Sequence, residues 1–339
     1  MKRREFITLV GGSAVAWPMP ARAQQPGKSY RIALIHPFAP VETLNEATKA
    51  TSALGYRFFF DEFRRLGYVE GSNVAIERYS GRGKKSAELA ELLQTVAATK
   101  PDVIFVVAMD NVLATTPVAM PIVQIGLNPI AIGITSNLSR PDRNITGVAL
   151  TAGSELYAKH LELLRQASPT AARIACLTGR EMWSSSSDIF GSLQAEAKRL
   201  DVTLIPALLE SPYPDDEYHR VFAAMVQDRS DALIVTQLVW NNAHAALIAE
   251  LAARARLPAI YPARSFVDQG GLMSYGAGPD EAYRRAANAV VEILRGAKPS
   301  EVPFYQASRF ELVVNLKTAK ALELTLPQLI MARADDVIE

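Results

Sequence analysis

Four histidines and one cysteine are the residues best able to do chemistry, and their spacing supports none. His36, His160, His219 and His244 lack the short intervals that bring imidazoles onto one metal, and the last three lie in helical segments with charged neighbours. Cys176 sits in the apolar run ARIACLTG, where a cysteine acts as a small hydrophobe. As a racemase nucleophile it would need a second acid–base partner, and the chain has no second cysteine. No Gly-x-Ser-x-Gly elbow, phosphate-binding glycine loop or dinucleotide fingerprint follows the first apolar strand. Catalysis therefore has little support, and no catalytic residues, no metal and no cofactor are expected. Attention shifts to aromatic and amide side chains, and first to the stretch QGGLMSYGAGPDEAYRRAA. It reads as a strand over residues 271–274 ending in Tyr275-Gly276, then a turn, then a helix after Gly278-Pro279-Asp280. Tyrosine offers a stacking face and a hydrogen bond, and ligands bind at the carboxyl ends of parallel strands. Tyr275 either faces such a cleft or packs a structural junction; both readings stand.

The elements that must position these residues alternate regularly. YRIALIHP, NVAIERYS, PDVIFVVAM, MPIVQIG and ITGVAL read as strands, with helices at FFFDEFRRLGYVEG and AELAELLQTVAAT between them. The rhythm restarts with ARIACLTG, VTLIPALL, DALIVTQ, LPAIYP and GGLMSYG, separated by helices around IFGSLQAEAKRL, YHRVFAAMVQD and AHAALIAELAARAR. Such alternation predicts parallel sheets covered by helices, here two lobes with a cleft between them. A last helix, EAYRRAANAVVEILRGAKPSEVPF, and the strand–helix unit RFELVVNLKTAKALELTLP must return to one lobe or the other. The chain then crosses between lobes several times, as a hinge requires.

Residues just past the strand ends are the pocket candidates. In the first lobe these are His36 and Phe38, Asp110 and Asn111, and Asn128. In the second they are Arg180 and Trp183, Gln237 and Trp240, Arg264 and Ser265, with Tyr275 at the junction. Phe38, Trp183, Trp240 and Tyr275 together favour a flat or aromatic small molecule.

Charge argues against nucleic acid. The 339 residues carry a formal +1, and Lys2, Arg3, Arg4 and Arg22 against Glu5 lie in residues 1–23, so the remainder has 32 basic and 34 acidic side chains. Residues 1–23 read as a signal peptide: a basic start, an apolar run over residues 6–17, Pro18 and Pro20, and an Ala21-Arg22-Ala23 ending. Arg3-Arg4 before Glu5-Phe6-Ile7 resembles a twin-arginine export signal, with the general secretory route as the alternative. The apolar run is shorter than the ~20 residues that cross a bilayer. Without a cysteine at the cleavage site no lipid anchor is expected, and the mature chain is expected free in the periplasm.

The run RLPAIYPARSFVDQGGLMSYG…ILRGAKPSEVPF…FELVVNLKTAKALELTLP…ARADDVIE, with FRRLGYVEGSNVAIERYS, PDVIFV, MPIV and LSRPDRNITGVAL, resembles the ABC-transporter substrate-binding proteins related to the tryptophan- and aromatic-amino-acid-binding family. The resemblance spans essentially the whole mature chain. It implies an α/β, type I periplasmic-binding-protein fold: two Rossmann-like lobes with parallel sheets, joined by a three-strand hinge and closing on a ligand. Lobe 1 would be residues 29–148 plus 277–305, and lobe 2 residues 149–276 plus 306–339. It further implies a monomer that delivers a small aromatic or amino-acid-like ligand to an ABC permease at the inner membrane. A sensor presenting the solute to a receptor kinase would use the same fold. A DNA-binding regulator would need an N-terminal headpiece where the export signal lies.

Two departures from that family bear on the ligand. The turn after the third strand, Gly-Thr-Pro-Ala-like in relatives, is replaced by Asp110-Asn111 in AMDNVLATTPVAMPIV. The acid that amino-acid-binding relatives tend to place after the strand equivalent to ALIVTQLVWNN is absent, with Thr236, Gln237 and Trp240 there instead. A free α-amino acid would need Asp110 as its ammonium partner, or the ligand lacks an ammonium.

Overall fold

The computed structural model describes residues 29–48, 55–150, 155–185, 187–211 and 213–339. The expected signal peptide, residues 1–23, lies outside the described residues. Two sheets organise the chain. The first has six strands: β1 (Tyr30–His36), β2 (Val74–Ser80), β3 (Val103–Val107), β4 (Ile122–Gly126), β5 (Ile145–Ala149) and, far along the chain, β11 (Tyr305–Gln306). Their order is β11-β5-β4-β3-β1-β2, all parallel. The second has seven: β6 (Arg173–Gly179), β7 (Thr203–Leu209), β8 (Ala232–Val235), β9 (Ala259–Tyr261), β10 (Met273–Ala277), β12 (Phe310–Asn315) and β13 (Asp336–Ile338). Their order is β13-β12-β10-β9-β8-β6-β7, and only β10 and β12 run antiparallel.

Helices bury both faces of each sheet, so the central strands are continuous apolar runs. Helix α1 (Gly55–Arg65) places Tyr56, Phe59, Phe60 and Phe63 at helical spacing on the first sheet, where the Phe59 ring stacks on Phe105 with centroids 4.6 Å apart. Helix α2 (Ser86–Ala98) covers the opposite face with Leu89, Leu93 and Val96. On the second sheet, α4 (Glu155–Ala167) and α6 (Ser187–Arg199) cover Cys176, while α7 (Asp215–Gln227) and α9 (Ala245–Arg254) cover the other side with Tyr218, Phe222 and Ile248. Cys176 is fully buried, and burial pushes its thiol up to about 12, so it is an inert core residue.

Helix α11 (Pro279–Leu294) sets the connection between lobes. It leaves β10 of the second sheet at Gly278 but packs on α1 and the first sheet, burying Tyr283, Ala286, Ala287 and Val290. Proline at its first position suits a helix start, where the missing N–H loses no bond. The chain passes between sheets three times: between β5 and α4, between β10 and α11, and between β11 and β12.

Strands β11 and β13 add to the expected set, and one expected strand is displaced. The strand expected over residues 271–274 instead spans Met273–Ala277, because β12 pairs beside it and carries it to the Ala277–Phe310 register. Tyr275 therefore sits mid-strand, opposite Leu312. No helix among the described residues is long and apolar enough to cross a membrane.

Candidate functional site

Strand ends from both sheets converge on one cavity of about 180 Å³. The first sheet supplies His36 from β1, Val107 at the end of β3 with Ala108 and Asp110 after it, and Ile125 and Gly126 of β4 with Leu127 beyond it. Gln237, Asn242, Arg264 and Ser265 come from the second. The hinge closes the back with Ser274, Gly276 and Ala277 of β10, Pro279 and Tyr283 of α11, and Glu311 and Val313 of β12. A second, outer cavity of about 620 Å³ shares Ala108, Asp110, Leu127 and Gln237 with the first and adds Asn111, Met182 and Trp240. Across the cleft the rings of Phe38 and Trp240 lie 6.4 Å apart, and Trp240 is backed by Tyr213 at 5.8 Å.

Asp110 is the most constrained of these side chains. After β3 the backbone turns through Ala108 at φ 56°, a left-handed alanine that costs about 1 kcal/mol and is tied to Ile125 O by its own N–H at 2.7 Å. The turn starts α3 (Asp110–Thr115) with Asp110 at its first position. Oδ1 of Asp110 accepts from Leu127 N at 3.0 Å. Gly126 is required opposite it, since a Cβ there would lie 2.1 Å from that oxygen. Asp110 is buried, and loss of solvent raises its carboxyl to about 6 against the opposing pull of the Leu127 bond.

His36 is held neutral. Its Nδ1 accepts from Ala39 N at 2.9 Å and Phe38 N at 3.3 Å, which puts the ring proton on Nε2, and burial lowers its pKa to about 3. Arg264 is committed to Asp336 at 2.6 Å and Asp268 at 3.3 Å. Two amide oxygens of cavity residues, Gln237 Oε1 and Asn242 Oδ1, are buried without a hydrogen-bond partner. Such groups cost about 1–3 kcal/mol each when left unpaired, and both oxygens can accept from a donor placed in the cavity.

Among the expected residues, His36, Phe38, Asp110, Gln237 and Ser265, with Arg264, line the inner cavity, and Asn111 and Trp240 line the outer one. Four lie elsewhere. Asn128 Oδ1 accepts from Ile130 N at 3.0 Å and folds the turn after β4. Arg180 pairs with Glu210 in a surface groove of the second lobe. Trp183 packs on Phe190, centroids 4.7 Å apart, against the second core. Tyr275 points off the opposite face of β10: its neighbours Ser274 and Gly276 face the cavity, while its ring stacks on Phe310 at 5.6 Å in a groove beside α4 and α6. Period-two alternation puts Tyr275 on the face opposite Ser274 and Gly276. Its carbonyl accepts from His160 Nε2 at 2.6 Å, fixing that buried ring to the hinge strand. Tyr283, Asn242, Ser274 and Glu311 line the cavity without having been anticipated. Only Ser274 carried a signal, as the alternate neighbour of Tyr275.

Residues 55–338 match the family described as ABC transporter substrate binding protein. A tyrosine-binding protein from Clostridioides difficile (strain R20291) is 20% identical over 269 residues, covering 78% of this chain and 75% of the relative. Among solved structures, an ABC domain from Streptococcus pneumonia in complex with L-Trp superposes with a TM-score of 0.79 at 21% identity, covering 92% of this chain and all (100%) of that one. A conserved domain protein from Vibrio cholerae superposes at 0.78 with 20% identity, covering 91% of this chain and 100% of its own. The fold is thus the two-lobed, type I periplasmic-binding-protein architecture, used by this family for binding solutes and not for catalysis. By sequence match across most of its length and by the fold that match implies, the chain belongs to the ABC transporter substrate binding protein family.

Proposed function

We propose that this chain is an exported periplasmic receptor that closes its two lobes on one small aromatic or amino-acid-like solute and hands it to an ABC importer. The observation that carries this reading is the cavity itself, walled by Asp110 and Phe38 on one side and Gln237 and Ser265 on the other. Only a ligand touching both walls can favour the closed arrangement, because differential contacts are what shift such an equilibrium.

Size and lining narrow the ligand. Engineered apolar cavities of about 150 Å³ accept benzene, so an inner space of about 180 Å³ has room for an aromatic ring, and the outer cavity beyond Asp110 adds room for the rest of the ligand. The walls around that space are mostly apolar, from Val107, Ile125, Leu127, Ala282 and Val313, with Phe38 and Tyr283 as aromatic faces. The tyrosine-binding relative and the tryptophan-bound neighbour support the same ligand class. A thermal-shift panel of amino acids, aromatic acids and sugars tests it. A ligand at 100 times its Kd adds about 2.7 kcal/mol. Stabilisation by single-ring compounds and not by sugars is expected; stabilisation by sugars alone would refute the reading.

A further inference from the structure

We propose that Asp110 is the counter-charge for a protonated amine carried by the ligand. The inference rests on the cavity being the ligand site and goes on to name the group recognised there. Three observations meet. Asp110 is buried at the boundary of the inner and outer cavities, lining both. Among the described residues no ion pair is made to it: Arg264, the cation of the same cavity, is held by Asp268 and Asp336. Across the cleft, Gln237 and Asn242 bring two buried amide oxygens that have no donor. An ammonium has one charge and three N–H donors; the cavity offers one unpaired carboxylate and two unpaired acceptors.

Isolation of that carboxylate is the decisive point. An ionised carboxyl group removed from water without a cation costs several kcal/mol, and this one is fixed in place by Leu127 N and by the bare Gly126. The other titratable groups facing the two cavities do not substitute for a ligand cation. His36 is neutral, Tyr283 is pushed above its usual value by burial, and Glu311 lies 3.6 Å from Arg309, while Asp268 and Glu181 are acids. Binding an amine thus requires the ionised form of Asp110, and a carboxyl raised to about 6 makes affinity fall as pH drops below that value.

Calorimetry on the mature chain tests this with matched probes: L-tyrosine and tyramine against 3-(4-hydroxyphenyl)propanoate, and L-leucine against 4-methylpentanoate, at pH 7.5 and pH 5. Amine-bearing members of each pair are expected to bind at least tenfold more tightly than the amine-free acid. Their affinity is expected to drop about tenfold from pH 7.5 to pH 5, and Asp110→Asn to abolish both the preference and the pH dependence. Melting of the unliganded variant checks that it folds. Amine-dependent binding by the leucine pair without binding by the tyrosine set would retain Asp110 and overturn the aromatic reading. Equal binding by the amine-free acids, a larger loss in Glu311→Gln than in Asp110→Asn, or no binding by any amine would overturn the assignment.

Discussion

Replacing Asp110 by asparagine in the ligand-free protein is expected to make it more stable at neutral pH while it binds less well. Folding raises the carboxyl from 3.8 to about 6. That shift is about two units, each ~1.4 kcal/mol, so ionising Asp110 in the empty cavity removes about 3 kcal/mol of stability. The sign follows from the raised value. The contribution of Asp110 is fully present below pH 3.8 and is lost as the pH rises through 6. Asparagine has the same shape, can keep the bond from Leu127 N and never ionises. With an unfolding entropy of ~2.1 cal/mol/K per residue, a kcal/mol moves Tm by about 1.5 °C in a chain of this length, so the variant should melt roughly 4–5 °C higher near pH 7.5 and with the wild type near pH 4. Differential scanning calorimetry of both proteins from pH 4 to pH 8 reads the difference directly. A variant that melts below wild type at pH 7.5, or a gap that does not widen between pH 4 and pH 7, would refute a buried, unpaired carboxylate.

Three further outcomes follow from the same geometry. Tyr275→Phe should leave ligand affinity unchanged, and Tyr275→Ala should lower Tm without weakening binding, because the ring stacks on Phe310 away from the cavity; calorimetric Kd values for both check this. Gly126→Ala should weaken binding at least tenfold and cost about 1–3 kcal/mol, since its Cβ would displace the Asp110 carboxylate; denaturant melts and titration measure the two effects. His36 and His160, lowered by burial to about 3 and about 4, should make stability fall as pH drops below 6.5, and His160→Gln should flatten that decline in an acid titration of the fold.

Much of the architecture is legible because strands buried on both faces leave unbroken apolar runs, as in VIFVV and ALIV, with amphipathic stripes such as Tyr56, Phe59 and Phe63 between them. The rule that ligands meet strand carboxyl ends finds His36, Asp110, Gln237 and Ser265 at the cavity. It misplaces Arg180 and Trp183 because the residues after β6 form a short helix, Arg180–Ser185, which turns Glu181 and Met182 toward the outer cavity and leaves Arg180 and Trp183 facing elsewhere. For Tyr275 the sequence leaves both readings open for another reason. β10 is buried on both faces, so alternation separates Ser274 and Gly276 from Tyr275 without saying which set faces the cavity. Tyr283 lay hidden because its helix follows one sheet yet packs on the other.

The most direct test of a solute held between the lobes is a crystal structure of the mature chain with the best-stabilising compound of the thermal-shift panel. The account predicts density for that compound in the inner cavity, with its polar head within hydrogen-bond distance of Asp110 and Gln237 and its ring against Phe38 and Tyr283. Density instead in the groove beside Tyr275 and Phe310, with the inner cavity filled only by water, would contradict it.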